Sequence, residues 1–144
     1  MEKGLKSLII LFKAQISLAN SVKKSLENTG LNLNEFVAME ALYTKERLTT
    51  QQLVDSVLIP NSSMTYVLDI LMEKSYVKRE QCTTDRRIKY VSLTDKGKSY
   101  FESVYKKHYE YIRDILDVLD EDEEKQMNES LKKIGKKAQE RNAL

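Results

Sequence analysis

The chain has a single cysteine, Cys82, so no internal disulfide can hold it together and a secreted, cross-linked scaffold is excluded. It also has a single histidine, His108, well separated from that cysteine, which argues against a zinc site and leaves no metal or other cofactor to expect. One proline and four glycines in 144 residues leave little room for long linkers or low-complexity tracts. No repeat at solenoid spacing is present. There is no Gly-rich phosphate loop and no nucleophile paired with the histidine, so nothing asks for an enzyme. The net charge is only +2, so bulk charge does not announce a polyanionic partner. The apolar stretch Leu8–Phe12 is too short for a membrane span, and no small-residue cleavage site follows it. A cytoplasmic, non-membrane protein of one domain (1–144) is the expectation.

What is present is helical periodicity. A first helix is predicted from Leu5 to Leu26, with Leu5, Leu8, Phe12, Ile16, Ala19, Val22 and Leu26 at helical spacing. Ile9, Ile10 and Leu11 make it apolar on more than one face. A second helix begins near Asn34, with Phe36, Met39 and Leu42 inward. A third starts near Thr49 or Thr50. A fourth follows Pro60, its Met64, Val67, Leu68 and Leu71 falling at i, i+3, i+4 and i+7. Asn61 or Ser62 can cap it. Tyr76–Gln81 and Ile88–Leu93 have strand character. Thr94 then caps a long fifth helix, and Asp120 with Glu123 resembles a capping box opening a sixth. The order is α-α-α-α-β-β-α-α, a mainly α fold with a small β element.

Charge is unevenly placed. Lys78 to Lys89 holds five basic residues (Lys78, Arg79, Arg86, Arg87, Lys89) against two acidic ones (Glu80, Asp85), whereas Asp114 to Glu129 is strongly acidic. A helix with one packed face and one small polar face, followed by a basic hairpin, is the outline of a winged helix-turn-helix DNA reader, here spanning 32–98. On the fourth helix the packed stripe leaves Ser63, Thr65 and Tyr66 free, with Asn61 and Ser62 at its start, to meet base edges or phosphates. Thr50 and Gln51 of the preceding helix join them. At the hairpin tip Arg86 and Arg87 suit a narrow minor groove, Asp85 could brace an arginine, and Lys89 would flank the backbone. A solvated Ser/Thr-rich face and an ordinary charged turn are the plainer readings of each feature alone. Together they favour double-stranded DNA.

The long helices in 1–30 and 99–144 are too amphipathic for the small central unit to shield. Two copies packed through them would form a two-fold homodimer and set two reading heads on a pseudo-palindromic site, half-sites about one helical turn apart.

The run Asp85-Arg86-Arg87, followed by Val91-Ser92-Leu93-Thr94 and Gly97, and the segment Thr65–Leu71 resemble the MarR (multiple-antibiotic-resistance regulator) family over nearly the whole chain, from Leu5 to Ala138. The resemblance implies an obligate homodimer, usually a repressor, released from its operator by a small molecule or by thiol chemistry. It implies that Arg87 is the minor-groove arginine and Asp85 its brace. The chain departs from the pattern at Tyr66, where many relatives have arginine, and at Ile70, where a polar residue is common. Thr65-Tyr66-Val67 with Cys82–Arg87 is similar to a subgroup that responds to hydroquinones and related phenolics.

Two effector routes follow. Phe12, Phe36, Met39, Tyr43, Tyr105 and His108 could line an apolar cavity for a small aromatic effector, or simply be core. Cys82, beside Arg79, Arg86 and Arg87 in sequence, could be a redox sensor favoured as thiolate by positive charge, or a small semi-buried strand residue. An interaction protein that keeps the fold without binding an operator is the alternative from another class.

Overall fold

The computed structural model describes residues 5–57 and 61–143. Its elements run α1 (Leu5–Ser25), α2 (Leu33–Lys45), β1 (Arg47–Thr49), α3 (Thr50–Ser56), α4 (Asn61–Glu73), β2 (Val77–Gln81), β3 (Lys89–Leu93), α5 (Asp95–Leu116) and α6 (Glu121–Asn142). The start of α4 relative to Pro60 lies outside the described residues. The expected order lacks β1. Three residues are too few to show a period-two pattern, and Arg47–Thr49 is a strand because it pairs with β3: Arg47 faces Ser92, Leu48 faces Val91 and Thr49 faces Tyr90. The antiparallel sheet has the order β1-β3-β2, the small sheet of a winged helix-turn-helix.

Local chemistry sets the helix starts. Asn32 accepts the Glu35 N–H while Glu35 returns a carboxylate to the Asn32 N–H, so α2 starts slightly earlier than its apolar spacing suggests. Thr49 and Gln52 do the same for α3. The Thr94 hydroxyl accepts from the Gly97 N–H at 2.9 Å, capping α5 as expected.

The chain divides into two compact units, one reaching to Tyr109 and one from Glu110 onward. The first holds the core. Phe36, Met39 and Leu42 of α2, Leu53 of α3, Met64, Leu68 and Leu71 of α4, Val91 of β3 and Phe101 of α5 are buried. Burying the stripe Met64, Val67, Leu68 and Leu71 turns the opposite face of α4 to solvent. In the second unit, Asp120 and Glu123 form the expected capping box of α6. Arg113 bonds to Asp117 at 2.8 Å and also to Glu124, tying the end of α5 to the first turn of α6.

The helix α1 has no buried residue. Leu5, Leu8, Ile9, Ile10, Phe12 and Ile16 are all exposed. The full helix, at 21 residues, is long and apolar enough to cross a membrane by length and composition, a test that helices of non-membrane proteins also pass. Its apolar surface needs a cover of some kind.

Candidate nucleic-acid interface

On α4 the solvent face begins with Ser63, half-buried, and continues through Thr65, Tyr66 and Asp69, all exposed. Tyr66 is 68% exposed, a large ring presented mostly to solvent. The side chains of Asn61 and Ser62 lie outside the described ones. On α3, Thr50 is the first helical residue and half-buried, and the cap is Thr49. Gln51 is exposed and donates to Asp55 at 2.9 Å. Small residues and one aromatic ring thus form the outward surface of the helix pair.

The hairpin joins β2 to β3, with Gln81 opposite Lys89 as the last strand pair. The Cys82 N–H donates to the Ile88 carbonyl at 2.9 Å, and the Ile88 N–H to the Asp85 carbonyl at 3.1 Å. Within that turn Asp85 accepts three bonds from Arg87: from the backbone N–H at 3.0 Å, from Nε at 3.1 Å and from Nη2 at 3.2 Å. The forked carboxylate–guanidinium geometry fixes the direction of the arginine. The Arg87 bonds hold the Asp85 carboxyl below the usual carboxylate range. The Arg87 side chain is nevertheless 90% exposed. Arg86 and Lys89 are exposed at the same end of the sheet. The brace expected of Asp85 is therefore present, and its partner is Arg87.

The sequence-similarity comparisons agree with this geometry. The family model for the MarR family matches residues 31–89. The chain is 35% identical to the HTH-type transcriptional regulator MhqR of Bacillus subtilis, covering 93% of this chain and 92% of that protein. It belongs to the MarR family. The MarR-family fold is matched by AbsC of Streptomyces coelicolor with a TM-score of 0.87 at 20% identity, covering 96% of both chains. A cysteine-to-serine mutant of MarR from E. coli, solved with operator DNA, gives a TM-score of 0.74 at 21% identity over 92% of this chain and 99% of that one. The protein is accordingly a transcriptional regulator of the MarR family.

Other expected residues fall into place less simply. Cys82 is half-buried just beyond β2, its Sγ 3.2 Å from the Thr84 hydroxyl. That hydroxyl, then the backbone N–H groups of Thr84 and Asp85, pull the thiol below its ordinary pKa, while burial and then the Asp85 charge oppose them. The cause is hydrogen bonding to the thiolate and not the arginine charges that the sequence suggested. The reason is local: the Arg87 guanidinium is paired to Asp85.

The aromatic set is only partly assembled. The Phe36 ring lies 5.5 Å from Phe101 and 4.7 Å from His108. Tyr105 lies 5.6 Å from Phe101 and 6.3 Å from His108. Tyr43 packs on Phe101 and donates to Glu102 at 2.9 Å. Met39 is fully buried core, and Phe12, 61% exposed on α1, is not brought to the others within the described chain. His108 bonds through Nδ1 to the Ser25 hydroxyl at 2.9 Å, and burial pushes its pKa down.

Two features were missed from sequence. Arg47 stacks over the Tyr90 ring at 4.4 Å, a contact that needs the unforeseen β1. The Gln81 side-chain amide donates to the Arg86 carbonyl at 2.7 Å.

Proposed function

We propose that this regulator is a cytoplasmic homodimeric repressor that binds a pseudo-palindromic operator in double-stranded DNA and is released by a small aromatic effector. In this reading α4 enters the major groove with Ser63, Thr65 and Tyr66 toward base edges, joined by Asn61 and Ser62. Thr50 and Gln51 meet the backbone beside it, and the 82–88 turn carries Arg86 and Arg87 to the minor groove while Lys89 meets phosphate. One observation carries it: Arg87 is almost wholly in solvent, yet a carboxylate two residues away holds it with three bonds. An exposed arginine gains little stability from such a brace. What the brace supplies is an arginine already ordered for a narrow, electronegative groove. The bare apolar face of α1 supports the homodimer, since a second copy would cover it.

The aromatic nest supports a phenolic or quinone-type effector. The Ser25 hydroxyl donates to the Val22 carbonyl at 2.7 Å, so the His108 Nδ1–H is the donor to Ser25. Neutral His108, whose ring lies near those of Phe36 and Tyr105, then keeps Nε2 as an acceptor suited to a phenol O–H. A second reading rests on Cys82. Its thiolate would add to a ring carbon of a quinone, the ring taking up the electron pair and a proton to become an S-linked hydroquinone, altering the wing directly.

The test is a duplex selected from a random pool by the wild-type protein, titrated by fluorescence anisotropy at several salt concentrations. Arg87→Ala and Arg86→Ala should each weaken binding and lower the slope of log affinity against log salt by about 1. Unchanged affinity in both variants would refute the wing reading, and a wild type that selects no duplex would leave an interaction protein that has kept only the fold. Loss of binding with a simple quinone in wild type but not in Cys82→Ser assigns the signal to the thiol. Equal loss in both points instead to a non-covalent pocket such as the nest or to another reactive side chain.

A further inference from the structure

The two wing arginines are joined by one peptide unit, made of the Arg86 carbonyl and the Arg87 N–H. Both ends of that unit are held by side chains. The N–H donates to Asp85 Oδ1 at 3.0 Å, and the carbonyl accepts from the Gln81 amide at 2.7 Å. Asp85 holds one edge of the plane, Gln81 the other. A peptide plane turns about its Cα–Cα axis by a concerted change of ψ before it and φ after it. Such a turn moves the Arg87 N–H away from Asp85 Oδ1, and the carboxylate that the Arg87 guanidinium grips loses the backbone bond that orients it. With one edge free, only the Asp85 contact resists that motion.

We infer that Gln81 is a positioning residue of the wing, clamping the Arg86–Arg87 peptide so that the Arg87 guanidinium is held ready for DNA. The inference rests on the operator-binding reading above. The chemistry of the position suits the task. The residue must donate to a carbonyl from the end of β2, across the turn. A lysine could donate too, but its charge would compete with Arg87 for Asp85. Glutamate has no donor when ionised. Glutamine is neutral, long enough, and leaves its own carbonyl oxygen free. Because Gln81 is exposed, water replaces the bond readily and global stability depends little on it. Its effect is on order at the tip.

The decisive experiment compares Gln81→Met, of similar length but without a donor, with wild type, in normal and Arg87→Ala backgrounds, on the selected duplex. In the normal background affinity should fall about three- to tenfold, the range of one net hydrogen bond, with an unchanged salt slope because no charge is lost. In the Arg87→Ala background the same substitution should change affinity by less than about twofold. A full-sized loss there would mean that Gln81 touches DNA itself, and no loss in either background would also overturn the inference. A second measurement needs no DNA: amide exchange at Arg87 in the free protein should be faster in Gln81→Met, and an unchanged rate would refute the clamp. If wild type selects no duplex, the operator reading fails, and the amide result alone then decides the clamp.

Discussion

Gly97 is the most sharply testable position in the fold. It sits in the first turn of α5, and its φ is not positive, so the backbone does not require glycine for its conformation. Space does. A Cβ at Gly97 would lie 2.0 Å from the Tyr76 carbonyl oxygen and 2.9 Å from its carbon. An ordinary carbon–oxygen approach is about 3.3 Å or more, so α5 and the chain entering β2 must part by roughly 1 Å. That same seam carries the Thr94 N–H to Tyr76 carbonyl bond at 3.0 Å and the Thr94 hydroxyl to Ser75 carbonyl bond at 2.6 Å. Losing both costs about 2 kcal/mol at about 1 each. Forcing a methyl into a packed seam costs about 1–3 kcal/mol more, and alanine returns about 1 kcal/mol through helix propensity. The net for Gly97→Ala is a destabilisation of about 2–4 kcal/mol.

Thermal unfolding at one fixed protein concentration should show this as a Tm lowered by roughly 8–16 °C. Gly135→Ala is the internal control. It lies inside α6 with nothing within 4 Å of its added Cβ, so it should raise stability by about 0.5–1 kcal/mol. A Gly97→Ala protein as stable as wild type, alongside a stabilised Gly135→Ala, would show that the close approach of α5 to Tyr76 is absent in solution.

Three further outcomes are expected. Asp120→Ala removes the carboxylate that caps α6, the acceptor for the Glu123 N–H at 2.8 Å, and should cost about 1 kcal/mol with faster amide exchange in the first turn of α6. Burial lowers the folded-state pKa of His108 below its ordinary value of 6.5, so as pH falls through that value the unfolded chain takes the proton first. Stability should therefore decline below about pH 6.5, level off below the lowered folded value, and lose that part of its slope in His108→Gln, all read by denaturant midpoints across pH. Cys82 should react with iodoacetamide along a pH profile whose midpoint lies below that of a free thiol, and Thr84→Val should move the midpoint up, because the Thr84 hydroxyl is the largest contributor to the lowered value.

Local patterns were legible in the chain, and long-range pairings were not. The stripe Met64, Val67, Leu68 and Leu71 identified α4 and its free face, because a helix states its buried side every three or four residues. Asp120 with Glu123 was read as a capping box, while the equivalent pairs Asn32 with Glu35 and Thr49 with Gln52 carry the same spacing and set the starts of α2 and α3. Strand β1 was hidden because three residues acquire their conformation from β3, more than forty positions away along the chain, and Arg47 over Tyr90 was hidden with it. At the wing, Asp85 and Arg87 are two residues apart and of opposite charge, so their pairing could be foreseen. Gln81 could not, since its partner is a backbone carbonyl, which every residue has. Phe12 was grouped with Phe36 and His108 by residue type alone, and type does not decide which face of a helix meets which neighbour.

The wing is built with a fixed root and a lightly held tip. At the root, Thr94 caps α5 through its hydroxyl oxygen, passes its hydroxyl proton to the Ser75 carbonyl and its N–H to Tyr76, and Gly97 lets the helix press against the same peptide. Tyr76 in turn stacks on Tyr100 at 4.6 Å, one turn further along α5. Any shift in the first turns of α5 is therefore carried straight to the start of β2. Toward the tip that coupling ends: residues 82–88 are held by a few exposed bonds, among them those of Gln81 and Asp85 to the Arg86–Arg87 peptide. Substitutions at the root should thus change folding stability, and those at the tip should change DNA affinity with stability nearly constant. Measuring both quantities on Gly97→Ala and Gln81→Met separates the two, and an exchange of the two effects would contradict this division of the wing.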